Sequence, residues 1–221
     1  MTRVLFVGGM LASSIKWGSG MSDGGCKVSD EFKSGPMSIS SKRLVLRPWR
    51  DSDRQPFADM SADPDVMRYL SPMPTRVLSD GWIDRQIARS IEDGFCFWAV
   101  ETLKERIFVG SVGLVRVGYA AHFTPAVEVG WRIARRFWGL GYAPEAAETA
   151  LRFGFETLHL AEIVANAATG NEKSRRVMAK LGMSYDPADD FDHPRVVEGN
   201  PIRRQVLYRL SRGNWRSSRG V

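Results

Sequence analysis

The sequence predicts a single α+β domain, and three observations carry that prediction. From Lys42 onward, segments that alternate apolar and polar residues interleave with segments of helical period, with no internal repeat or low-complexity tract to divide them. A Gly-x-Gly turn, Gly139-Leu140-Gly141, joins one alternating strand directly to a helix start marked by Pro144 and Glu145. At 221 residues and 43% hydrophobic content, the chain is long enough for one ordinary core.

The elements follow in order. Leu44, Val45 and Leu46 begin a first strand, after which Asp51-Ser52-Asp53 cap a helix running toward Met60. Pro64, Pro72 and Pro74 punctuate the path to a second helix over about 78–92, ended by Gly94. Strands are expected at about 95–101, 106–117 and 126–134. In the last of these, Val127, Val129 and Trp131 alternate with Glu128 and Gly130, so Glu128 projects from the face opposite its apolar neighbours. A helix over 143–157 aligns Ala143, Ala147, Leu151 and Gly154 or Phe155 as its packing stripe. A strand at 162–168, a helix at 172–181 stopped by Gly182 and a strand at 202–210 complete the series. In that final strand Val206 and Tyr208 share a face that Leu207 opposes.

Three segments divide the chain: an extension over 1–36, a domain over 37–212 and a basic tail over 213–221. The first is rich in Gly and Ser and lacks periodicity, as a disordered extension or a stretch upstream of a start at Met21 or Met37 would be. Val4 to Ile15 resembles a short signal-peptide core behind Arg3, but Gly8 and Gly9 interrupt it and no clear Ala-x-Ala site follows; no other stretch approaches the ~20 apolar residues that cross a bilayer. The net charge of +6 lies in Arg203, Arg204, Arg209, Arg212, Arg216 and Arg219, all beyond Pro201. A solvated tail explains it better than contact with an acidic surface or with RNA, for which no stacking-aromatic pattern is present. Cys26 and Cys96 have neither metal nor redox spacing, which favours a reducing, cytoplasmic setting without a disulfide scaffold or metal.

The Gly-x-Gly turn is a candidate anion site. Both glycines open backbone angles closed to other residues, and amides at the helix start, aided by Arg136, would face a phosphate. It is not a nucleoside-triphosphatase loop, because Tyr142 and Ala143 replace the required Lys and Ser or Thr. Nor is it a dinucleotide fingerprint, because Pro144 stands where a third glycine belongs.

Arg136-Phe137-Trp138-Gly139-Leu140-Gly141 resembles the acetyl-CoA signature of the GNAT N-acetyltransferase superfamily, Gln/Arg-x-x-Gly-x-Gly/Ala. Val127-Glu128-Val129-Gly130-Trp131 resembles that family's fourth strand, and Asn171 to Met183 its second conserved helix. Arg43 to Trp49 is similar to its first strand. The Trp-Gly-x-Gly-Tyr-Ala and Asn-x-x-Ser-Arg-Arg-Val forms are most like the branch of ribosomal-protein N-terminal acetyltransferases. The resemblance covers about residues 40–212 and implies a mixed, mostly antiparallel sheet splayed between strands 4 and 5, flanked by helices.

It also implies acetyl-CoA as co-substrate. The binding residues would be Val129, Trp131, Arg136, Phe137, Trp138, Gly139, Leu140, Gly141, Tyr142, Asn171 and Ser174. The expected partners are acetyl-CoA and an amine, on a small molecule or a protein N-terminus; a homodimer is left open, and no membrane or nucleic acid is expected.

Acyl transfer to an amine needs a base, since an ammonium has no lone pair. Glu128 is the candidate, against a purely structural carboxylate. A backbone amide near Val129 or Gly130 would hold the oxyanion. The family's usual tyrosine acid is replaced by Met178, leaving Ser174 as the hydroxyl for the departing thiolate, against a packing role. Asn171 caps its helix or touches cofactor. His122, His159 and His193 read as surface or loop residues, and the acidic segment Asp186, Asp189, Asp190 and Asp192 as a solvated or cation-facing loop. A catalytically silent acyl-CoA-binding regulatory protein would keep the Arg136–Gly141 turn without depending on Glu128 or Ser174.

Overall fold

Residues 37–217 are described by the computed structural model; the expected extension over 1–36, with Cys26, and the last residues, 218–221, lie outside them. The strands are β1 (Ile39–Ser40), β2 (Leu44–Arg47), β3 (Phe97–Thr102), β4 (Phe108–Arg116), β5 (Val127–Ile133), β6 (Glu162–Ala168), β7 (Ser184–Tyr185), β8 (Phe191–Asp192) and β9 (Arg204–Ser211). The α-helices are α1 (Arg54–Ala62), α2 (Pro64–Met67), α3 (Arg76–Glu92), α4 (Tyr142–Arg152), α5 (Glu172–Lys180) and α6 (Arg212–Ser217). The strands join in the order β1-β2-β3-β4-β5-β6-β9-β7, with β8 beside β9.

All these pairs are antiparallel except β5 with β6. That parallel pair has a single register contact, Glu128 with Val164, before the strands part. The sheet therefore opens between its fourth and fifth long strands.

Period-2 alternation assigns the two faces. Leu44, Leu46, Trp98, Val100, Val112, Leu114, Val127 and Val129 turn to α4, whose Ala146, Ala147, Ala150 and Leu151 are fully buried. Small alanines let this helix lie close to the sheet. At Gly154 a Cβ would stand 2.6 Å from Ile163 Cδ1 and 3.0 Å from Leu114 Cδ1, so a larger residue there would push these side chains aside. The expected 143–157 helix changes form at its end: residues 153–157 make a π turn, and Leu158 N donates to Phe153 O at 3.1 Å.

On the opposite face, α1 and α3 cover Trp49, Phe57, Met60, Ile83, Ala99 and Phe108. Asp53 does not cap α1 with its side chain. Its carboxylate is buried and accepts from Arg47 at 2.7 and 2.8 Å, and Arg47 also reaches Glu101 at 2.6 Å. A buried arginine needs such partners more than the helix needs a cap.

Three of the C-terminal arginines are paired on the fold, while Arg216 is exposed. Arg209 pairs with Glu162 and Asp189 at 2.9 and 2.6 Å, while Arg203 and Arg204 lie at 3.5 and 3.4 Å from Asp192. Arg212–Ser217 form α6, which inserts Trp215, 2% exposed, against Phe155 at 5.3 Å. Packing thus runs past the boundary expected at 212, because this one large aromatic buries against the core. Cys96 is a buried free thiol, pushed up to about 12 by its burial.

Candidate active site

Gly139 and Gly141 adopt φ of 78° and 77°, the left-handed region that the Gly-x-Gly reading requires. Gly141 is the N-cap of α4 and leaves that helix's first amides without a side-chain cap. Glu145 in the first turn ties the helix to the start of the sheet: it accepts from Ser41 Oγ and Arg43 N, both at 2.8 Å, and from Arg43 Nε at 2.6 Å. Arg43 also lies 4.7 Å over the Tyr142 ring.

A cleft of about 690 Å³ runs past this turn, lined by Trp138, Gly139, Gly141, Pro144, Asn171 and Ser174 and by the cations Arg68, Lys173, Arg176 and Lys180. Lys173 Nζ sits 3.8 Å from the Trp138 ring centroid. Helix start and surrounding cations together suit a phosphate-bearing chain.

Arg136 is not among the lining groups. Its guanidinium reaches Phe108 O at 3.4 Å and stacks on Phe137 at 4.8 Å. Phe137 and Tyr142 pack toward the core, and Leu140 is 50% exposed. None of these three lines the cleft. The cations that line the cleft come instead from α5 and from the segment after α2, which no local motif marks.

Hydrogen-bond alternation orients the amides of β5. Val117 N donates to Ala126 O and Ala134 N to Val109 O, both at 2.9 Å, and the register between these bonds is unbroken. Glu128, Gly130 and Arg132 therefore bond to β4, while Val127, Val129 and Trp131 turn their backbone groups toward β6. The contact centred on Glu128 and Val164 occupies Val127 C=O and Val129 N–H. Trp131 N–H, one step further, points into the opening. Gly130, one of the two positions expected to supply an oxyanion donor, is turned away to Gly113.

A second pocket of about 400 Å³ lies on the α1 and α3 face and shares Tyr69, Leu70, Trp131, Arg132, Asn171 and Ser174 with the first cleft. Glu128 and Val129 line it, together with Trp82, Phe97, Ser111, Asn166, His193 and Arg195. Glu128 is half-buried. Burial pushes its carboxyl up to about 7, against the opposing hydrogen bond from the Asn166 side chain and the more distant charge of Arg89. Asn166 also reaches Tyr119 OH at 3.4 Å. The Tyr119 hydroxyl is in turn raised by burial first and by the charge of Glu128 second.

Ser174 stands where the two pockets meet. Its backbone N–H donates to Asn171 Oδ1 at 3.2 Å, so Asn171 caps α5 while also lining both pockets. Met178, at the position of the expected tyrosine, is 1% exposed in the core. A different tyrosine reaches the junction: Tyr69, whose hydroxyl lies 3.7 Å from where a Cβ on Gly170 would be.

The acidic segment does not face an amine. Asp189 pairs with Arg209 and His122, Asp190 accepts from Tyr185, Asp192 meets Arg203 and Arg204, and Asp186 caps the turn at Ala188. Of the three histidines, His193 enters the pocket, 4.5 Å from the Tyr119 ring, and is lowered first by burial and then by Arg195. The sequence gives no pattern that would separate it from His122 and His159.

A family model described as an acetyltransferase (GNAT) domain matches residues 43–184. YkkB of Bacillus subtilis (strain 168) is 33% identical over 148 residues, 66% of this chain and 85% of that protein. The FsC-acetyl coenzyme A-N(2)-transacetylase of Aspergillus fumigatus is 29% identical over 191 residues, 80% of this chain and 77% of that one. The crystal structure of a GNAT-family acetyltransferase from Bacillus anthracis aligns with a TM-score of 0.67 at 25% identity, covering 80% of this chain and 99% of that one.

Proposed function

The chain belongs to the GNAT acetyltransferase family and is an acetyl-CoA-dependent N-acetyltransferase; we propose that it acetylates a primary amine bound beside Glu128. The observation that carries this reading is a carboxyl pushed to about 7 in a pocket that opens into the Gly139–Gly141 cleft. A base of that strength takes a proton from an ammonium at neutral pH far better than an ordinary glutamate does.

Acetyl-CoA lies along the first cleft, with phosphates at Gly139, Gly141 and the α4 start and its thioester at the opening between β5 and β6. Glu128 accepts one proton from the ammonium, directly or through a water. The freed nitrogen attacks the thioester carbonyl carbon, and Trp131 N–H holds the oxygen that becomes negative. As the C–S bond breaks, the Ser174 hydroxyl donates a hydrogen bond to sulfur. The second proton lost by nitrogen passes to the thiolate, giving the N-acetyl product and CoA, while Glu128 returns its proton to water. Trp131 and the Asn171–Ser174 start of α5 lie at the junction of the pockets, where both substrates meet.

The amine is presented by a small molecule or by the first residues of a peptide, the content that a pocket of about 400 Å³ admits. Acetyl-CoA turnover against a panel of small amines and N-terminal peptides tests the reading. Release of CoA coupled to acetylation of at least one amine is expected; acetyl-CoA binding without transfer to any amine overturns it.

A further inference from the structure

The acceptor pocket contains a cation without a counter-charge. Arg132 extends from β5 on the same face as Glu128 and Gly130, and among the described residues it makes no ion pair. Its guanidinium lies 5.3 Å from both the Phe57 and Trp82 rings. Among the described residues only Nη1 finds hydrogen-bond partners, a long contact to Ser61 Oγ at 3.3 Å and the weak acceptor Met73 Sδ at 3.7 Å. Burial pushes the group down to about 10, with no carboxylate offsetting it.

Directly across the strand pair stands Ser111, the register partner of Arg132, on the same face of the sheet. It is 3% exposed, lines the pocket, and its Oγ has no hydrogen-bond partner among the described residues. A buried hydroxyl and a guanidinium short of acceptors, on paired residues of one sheet face and lining one pocket, are groups arranged for a ligand that brings the missing acceptor. The pocket's overall charge agrees: Arg132 and Arg195 face a single carboxylate, Glu128.

We propose that the acceptor is a primary amine that also carries a carboxylate, with the carboxylate held by Arg132 and Ser111 and the amine held at Glu128. This rests on the acetyl-transfer reading above and adds the chemical class of its substrate. A guanidinium fork matches a planar carboxylate through paired N–H donors, which accounts for an arginine here in place of a lysine. Four residues along a strand separate Glu128 from Arg132, about 13 Å between backbones. The Phe97 ring fills the interval over Gly130, 3.0 Å from where a Cβ would be. The amine and the carboxylate are therefore several bonds apart, and the body between them lies on Phe97 and Trp82, whose rings are near-parallel at 6.1 Å.

Matched acceptors test this: 6-aminohexanoate against 6-aminohexanamide, glycylglycine against glycylglycinamide, and 1,6-diaminohexane as the doubly cationic control. The acid of each pair is expected to exceed its amide at least tenfold in kcat/KM, with the diamine poorest. Arg132→Met, which keeps apolar bulk on Phe57 and Trp82, should bring the acid-to-amide ratio close to one. Ser111→Ala removes only the unpaired oxygen; it should lower the ratio several-fold without lowering the melting temperature, and it serves where Arg132→Met fails to fold.

Calorimetric binding of the same pairs to the protein saturated with CoA reads the preference without turnover. Acid preference in binding with no acetylation leaves this site standing and removes the acetyl-transfer reading. Acetylation of amide or diamine as fast as the acid, or an unchanged ratio in Ser111→Ala and Arg132→Met, overturns the carboxylate site and leaves acetyl transfer intact. Equal binding of acid and amide overturns it as well.

Discussion

Replacing Glu128 by Gln preserves the side chain's shape and removes its capacity to take a proton. Turnover in Glu128→Gln should fall roughly a hundredfold or more at neutral pH, with calorimetric acetyl-CoA affinity nearly unchanged. In the parent, kcat/KM should rise with pH through about 7 as the carboxyl ionises, a limb the variant should lack. Stability carries the opposite sign. Between the ordinary carboxyl value of 4.5 and about 7 the folded state binds more protons than the unfolded one, so stability falls as pH rises across that window. Glu128→Gln should melt higher than the parent at pH 8, by a margin on the order of 2 kcal/mol, and no higher at pH 4. A parental pH profile in the variant would make Glu128 structural. For Ser174, loss of the hydroxyl in Ser174→Ala should cost on the order of 2–4 kcal/mol of barrier with little change in melting temperature. Normal turnover with a lowered melting temperature would assign it to packing.

At the level of elements, the turn into α4 and the start of α5 each do two tasks. Gly141 needs φ of 77° to turn β5 into α4, and its open α-carbon leaves room for a ligand beside the backbone. Gly141→Val brings a β-branched side chain into a conformation that costs L-residues about 1–2 kcal/mol. Acetyl-CoA affinity should weaken tenfold or more by calorimetry; unchanged binding in a folded variant would move the phosphate site elsewhere. Asn171→Ala removes the side-chain acceptor for Ser174 N and should destabilise the protein by about 1 kcal/mol in chemical denaturation. Because the same turn lines both pockets, the acetyl-CoA KM should rise with it.

Across the whole molecule, the opening between β5 and β6 depends on what packs behind it. Ile163 and Ala165 of β6 belong to the same core as Phe155 and Trp215, so α6 at the chain's far end supports the strand that borders the site. Trp215→Ala should cost about 3–5 kcal/mol of unfolding free energy, as large core truncations do. Its residual folded fraction should still bind acetyl-CoA, since no group of α6 lines either pocket. Near-parental stability would show that α6 is dispensable to the core.

Local chemistry made much of this protein readable in one dimension. Alternation placed Glu128 on the face opposite Val127 and Val129, and paired glycines marked the turn whose positive φ no other residue adopts at low cost. Asn171 announced a helix start, and strand 162–168 falls where its pattern says. The same alternation puts Arg132 on the Glu128 face four residues on, a signal available in the sequence but meaningless until its surroundings are known. Whether a charge is paired depends on residues far away in the chain: Arg209 meets Glu162 and Asp189, while Arg132 meets no acid among the described residues. Tertiary packing likewise sent Arg136 away from the cleft and brought Tyr69, Asn166 and His193 into the pockets from separate segments. Backbone preference is set by neighbours within a few residues, and so it is written locally; desolvation and charge balance are set by every group that folding brings near, and so they exist only once the chain has closed on itself.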